Sequence, residues 1–165
     1  MAQVGRLTTS KLMSVLTASD GLPAAVADLS TTQSLSLPAV TAGQIMVQNV
    51  TPEISERSSI FQYPLVCVYC NKITNQLREK FRSFSGDAQM VIEMRVSQDR
   101  LDQIEANVQS YIDAVTQVLD QTRGDWGDGV FYPGGYEVTY GAVKHGGKNF
   151  LQIAKVSFVL EISAN

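Results

Sequence analysis

The chain has 165 residues and a formal net charge of -3, enough for one well-buried core and short for two. Hydrophobic residues make up 44% of it and charged residues 18%, which excludes a disordered or collagen-like chain and tilts mildly toward surface buried against other proteins. Its acidity argues against a nucleic-acid binder that works by neutralising phosphates, since that mechanism needs clustered Lys and Arg in excess.

In chain order, residues 9–19 carry Leu12, Val15 and Leu16 on one helical stripe, with Thr8, Thr9 and Ser10 as caps and Asp20-Gly21 as a stop. Pro23 suits a first helical turn, so residues 23–29 read as a short helix, and 30–38 as a loop without a stripe. Residues 44–50 read as a short strand closed by Thr51-Pro52. The run 64–70 is continuously apolar and β-prone, the pattern of a strand covered on both faces. Residues 71–86 fit a bent strand as well as a loop. Over 87–96 the alternation is regular: Ala88, Met90, Ile92, Met94 and Val96 point one way, and Gln89, Glu93 and Arg95 the other.

Ser97 is placed to cap the next helix, with Asp99 and Asp102 near its positive end. Leu101, Ile104, Val108, Ile112, Val115 and Leu119 then recur at steps of three and four, the signature of a helix lying on a sheet. Arg123 suits its last turn and Gly124 the position beyond it. After a loop at 125–129 come β-formers at 130–132, a Pro133-Gly134-Gly135 turn, a strand over 136–143 and a reversal at His145-Gly146-Gly147. A final strand over 150–162 puts Ala154, Val156, Phe158, Leu160 and Ile162 on one face, with Leu151 and Ile153 on the other. At about 3.3 Å per residue it spans roughly 40 Å, long enough to reach past its own domain. The expectation is an α+β fold: a mainly antiparallel sheet with one long helix packed across a face, and a helical N-terminal segment. Residues 1–58 form that segment within the same domain, and residues 59–165 the core.

No stretch approaches the roughly 20 apolar residues of a membrane-spanning helix. The start of the chain lacks the unbroken apolar centre of a secretory signal, so synthesis and assembly in a cytoplasm with reduced thiols is expected. His145 is the only histidine, and it reads as a solvated turn residue. Cys67 and Cys70 have Cys-x-x-Cys spacing, but positions three apart in a strand face opposite ways. The acids Asp125 and Asp128 lack the remaining ligands of a calcium loop, and Gly134-Gly135 and Gly146-Gly147 lack the strand-then-helix context of a phosphate cradle. The residues therefore point to no catalytic centre, metal or cofactor.

Six stretches carry a likeness of another kind: Pro64-Leu-Val-Cys-Val-Tyr-Cys-Asn-Lys72, Glu79-Lys-Phe-Arg-Ser-Phe-Ser-Gly86, Tyr111-Ile-Asp-Ala-Val115, Arg123-Gly-Asp-Trp126, Phe131-Tyr-Pro-Gly-Gly-Tyr-Glu-Val138, and Lys144-His-Gly-Gly-Lys-Asn-Phe150 followed by Ala154-Lys155-Val156. Through them, residues 63–162 resemble the tail terminator, or tail completion, proteins of long-tailed bacteriophages, which have a lambda-like terminator fold. The resemblance implies a structural virion protein at the head-proximal end of the tail. Such a protein forms a ring, a hexamer in that family, caps the last ring of tail-tube protein and offers its other side to the head's connector. DNA passes through the lumen without sequence-specific binding, which suits an acidic wall.

Two surfaces are expected to make these contacts. The hairpin at 136–153, with Lys144, His145, Lys148, Leu151 and Ile153, is expected to join neighbouring subunits. The loops with Glu79, Lys80 and Arg82, and with Arg123, Asp125, Trp126 and Asp128, are expected to meet tail or head proteins. Other readings stay open: a head-completion stopper, a tail-tube subunit, or a small ligand-binding or enzymatic α+β domain with Trp126, Tyr132 and His145 lining a pocket.

Overall fold

The computed structural model describes residues 2–54, 62–146 and 149–165. It begins with α1 (Val4–Leu16) and α2 (Leu22–Thr32), followed by a 3-10 turn (Ala42–Gln44) and the strands β1 (Ile45–Val47), β2 (Leu65–Asn75) and β3 (Phe84–Gln98). Helix α3 (Ile104–Gln121) comes next, and β4 (Gly124–Gly127), β5 (Val130–Tyr132), β6 (Glu137–Tyr140), β7 (Lys144–Gly146) and β8 (Asn149–Ala164) complete the order. The fold is α+β.

Among the described residues, eight strands belong to one sheet, in the order β1-β2-β3-β8-β5-β4, with β6 and β7 also paired to β8. The sheet is mixed, which corrects the mainly antiparallel expectation. β1 runs parallel to β2, with Ile45 opposite Val66 and Val47 opposite Val68. Residues 48–64 separate the two strands, a connection long enough for the crossover that parallel neighbours require. The other described pairs are antiparallel.

The centre is the β3–β8 pair, in register from Phe84 opposite Ala164 to Gln98 opposite Phe150. The last strand therefore does not leave its domain: from Phe150 to Ala164 it is matched by β3, and at about 3.3 Å per residue the ribbon is roughly 50 Å long.

One sheet face carries α1, α2 and α3. α1 lies against β2 and β3, α3 crosses β3 and β8, and α2 packs on α3. Their apolar stripes share one cluster with that face: Leu12, Leu16 and Val26 join Val108, Ile112 and Leu119 of α3, and Val68, Ile92 and Val156 of the strands.

The helix boundaries depart from the sequence expectation for local reasons. Thr8, Thr9 and Ser10 sit inside α1, not at its start. The Thr8 hydroxyl donates to the Val4 carbonyl at 2.9 Å and Thr9 to Gly5 at 2.9 Å, so these side chains turn back on their own helix. α2 runs to Thr32, three residues past the expected end. Ser97 stays in β3 opposite Leu151, and α3 starts only after Gln103, whose φ of 63° is left-handed. The Gln98 amide ties the linking loop, donating to the Arg100 and Asp102 carbonyls at 2.7 Å each. Leu101, expected on the buried stripe, is 57% exposed.

Residues 71–86 resolve into a strand that continues to Asn75 past a bulge between Cys70 and Lys72, followed by a turn. The expected loop at 125–129 is a hairpin. Gly127 pairs with Val130, and the two turn residues Asp128 and Gly129 have φ of 56° and 79°, the double positive φ of the turn that matches strand twist.

Candidate functional site

The sheet face away from α1, α2 and α3 holds the most unusual chemistry among the described residues. Glu93 and Arg95, read from the sequence as facing away from the apolar set of β3, are 5% and 1% exposed. Both strands beside β3 are responsible: Cys67 lies opposite Glu93 and Leu65 opposite Arg95 on one side, Lys155 and Ile153 on the other.

Arg95 Nε meets Glu93 Oε1 at 2.8 Å, and Arg95 Nη2 donates to the Val50 carbonyl. The second Glu93 oxygen accepts from the Tyr69 hydroxyl at 3.2 Å and stands 3.9 Å from Lys155 Nζ. Burial, and then the Glu93 carboxylate beside it, push the Tyr69 hydroxyl up to about 12. Above this cluster runs a groove of about 480 Å3, bordered by Val50, Pro52, Tyr140, Lys144, Leu151 and Ile153. The buried Glu93–Arg95 pair neutralises its own charges, and the Arg95 bond to the Val50 carbonyl fastens residue 50 to the sheet.

The twelve residues singled out from sequence fall into separate places. Lys144, Leu151 and Ile153 come together at the groove. Leu151 is only 6% exposed, so it belongs to the subunit's own interior and not to a free surface. His145 is exposed and stacks edge-on against Phe150, ring centres 5.8 Å apart. Lys148 lies outside the described residues.

At the opposite end of the ribbon, Glu79 and Arg82 form an ion pair at 3.6 Å in the β2–β3 turn, with Lys80 exposed between them. Asp128 pairs with Lys11 of α1 at 2.6 Å, and Arg82 and Asp128 border one depression there. Arg123 binds Asp120 at 3.0 Å, while Asp125 accepts from the Gly127 amide at 2.8 Å. Trp126 has a structural part: its indole donates to the Thr122 carbonyl at 2.7 Å, and its ring lies 5.5 Å from Tyr132 and 6.4 Å from Phe158.

Trp126, Tyr132 and His145 line no common pocket. The first two pack on Phe158, while His145 sits at the far end of β8. Cys67 and Cys70 face opposite sides of β2, and burial raises both thiols. Among the described residues, no three His, Cys, Asp or Glu side chains are grouped to hold a metal ion.

Sequence reasoning missed Tyr69, Glu93, Arg95 and Lys155 as a unit. The available signal was the apolar strand on each side of β3, which leaves its alternate face covered too. Phe81, inside the loop at 79–82 expected to meet other proteins though not itself singled out, is 96% exposed at the tip of the β2–β3 turn. No protein-family model matches the chain, and comparison with curated proteins finds no relative.

Proposed function

We propose that this chain is a non-enzymatic structural subunit of a phage tail, a terminator built on a lambda-like plan. Its working core is the antiparallel β2-β3-β8 unit with α3 laid across it. In the virion it forms a ring, six copies in the family it resembles, at the head-proximal end of the tail. One side of the ring covers the last tube ring and stops polymerisation, and the other meets the head's connector proteins while DNA passes through the lumen. Shape and surface do this work, without a cofactor.

The observation that carries the reading is the division of exposed contact residues between two ends of one rigid ribbon. Glu79, Lys80, Phe81, Arg82 and Asp128 lie at the Phe84/Ala164 end, and Lys144 and His145 at the Gln98/Phe150 end. A terminator needs two unlike surfaces held apart at a fixed distance. An exposed Phe between two cations is the sort of anchor that protein contacts use.

Electron microscopy of particles assembled without this protein tests the reading. Abnormally long, headless tails are expected, and normal tails attached to filled heads would overturn it. Purified chain that grows into filaments would replace the terminator with a tube subunit.

A further inference from the structure

Two short strands, β1 and β6, stand at opposite edges of the sheet and at the same level. Traced across β2, β3 and β8, Ile45 shares a row with Tyr140, Met46 with Thr139, and Val47 with Val138. Among the described residues, no strand pairs with the outer side of either.

Their backbone groups are also matched. The Gln48 amide donates to the Val68 carbonyl, so the parallel ladder turns Met46 and Gln48 inward and leaves Val47 and the Ile45 carbonyl facing out. The Gly141 amide donates to the Ile153 carbonyl. The antiparallel alternation then turns Thr139 inward and leaves the amides and carbonyls of Val138 and Tyr140 facing out.

Direction agrees as well. β1 and β2 run one way, β3 the other, β8 with β2, and β6 against β8. The two open edges thus run antiparallel to each other, and the outward positions on one fall in the same rows as the outward positions on the other.

We propose that β6 of one copy pairs with β1 of the next, with Val138 opposite Val47 and Tyr140 opposite Ile45, so that one sheet continues through the assembly. This rests on the reading of the chain as an assembling subunit and names the surface that joins the copies. The head-to-tail contact uses two different edges, the heterologous kind that rotation closes into a ring. Because the edges share their rows, rotation about an axis along the strands joins them with no rise, which a closed ring requires and a helical filament does not.

The side chains fit this occupant. Val47 is 57% exposed and Tyr140 45% exposed, and joining the edges gives each a β-branched partner on the helix-bearing face. One row on, Gln48 comes level with Glu137, an amide beside a carboxylate. Neither edge carries the Lys or Pro that usually blunts an open strand.

A double variant, Met46→Cys with Thr139→Cys, tests the pairing. These two positions face away from the new ladder's hydrogen bonds, where opposed Cα atoms come within about 4.5 Å, inside disulfide range. Within one chain they stand four strand spacings apart, roughly 19 Å, too far to bridge. In a background carrying Cys67→Ala and Cys70→Ala, which removes the thiol that the β1–β2 register sets opposite Met46, mild oxidation is expected to give disulfide-linked dimers and higher multimers, while each single variant stays uncrosslinked. Val47→Pro removes an outward amide at an exposed edge. It is expected to shift the assembled protein to a monomer that still unfolds in one cooperative transition.

Native mass spectrometry of the wild-type protein separates the two ways of failing. Oligomers without the crosslink, or oligomers that survive Val47→Pro, overturn the edge pairing and leave the assembly reading standing. A wild-type chain that stays monomeric at every concentration overturns both.

Discussion

Arg95 has almost no contact with water, yet it sits in a strand whose neighbours are chiefly apolar. Its guanidinium is held by Glu93 and the Val50 carbonyl, and Glu93 is shared with Tyr69 and Lys155. Removing one partner of such a buried pair leaves the other charge stranded at a cost of about 3–5 kcal/mol, whereas replacing both with apolar groups is often neutral. Arg95→Ala is therefore expected to lower the unfolding free energy by about that much in urea titration. Glu93→Leu with Arg95→Met is expected to recover at least half of the loss. A cost below about 1 kcal/mol for Arg95→Ala would mean that the pair is solvated in practice.

Elements with one clear period were legible in the sequence, and those set by tertiary neighbours were not. The stripe Ile104, Val108, Ile112, Val115, Leu119 located α3, and the alternation at Met90, Ile92 and Met94 located β3. The start of α3 was misplaced because Leu101 continues the stripe by one turn, while Ser97 is held in β3 by its pairing with β8. The burial of Glu93 and Arg95 was not legible because alternation reports a difference between faces and not what covers the second one. The β4–β5 hairpin was written in Asp128-Gly129, a strong short-range turn signal obscured by the acidic residues around it. Gly129 tests that element. A Cβ there would lie 1.9 Å from the Ser163 carbonyl oxygen, at a φ of 79°. Gly129→Ala is expected to cost more than about 1 kcal/mol and to break the hydrogen bond that the Ser163 amide donates to the Gly129 carbonyl at 2.8 Å, which amide exchange at Ser163 would report. Unchanged exchange would show that the hairpin does not depend on the turn.

At the scale of the whole molecule, two exposed ends are joined by the β3–β8 ribbon and backed by one helical layer. The candidate contact residues were legible as exposed charges, but their division between the ends followed only from strand register. Phe81 makes the division testable because its side chain leaves the core untouched. Phe81→Ser is expected to keep the melting temperature within about 2 °C while weakening attachment to the tail tube or the connector at least tenfold, readable as unjoined heads and tails by microscopy. Wild-type joining by that variant would show that this end of the subunit makes no such contact.

β8 stands in the middle of the sheet and is also the last of the eight strands in chain order. As synthesis proceeds, β1 to β3 on one side, and β5 and β6 on the other, wait for the strand that both halves bind. Every such pairing to β3 must close a loop across α3 and the later hairpins, the distant contact that slows folding to milliseconds or longer. The ribosome must therefore deliver nearly the whole described chain before any subunit acquires its shape.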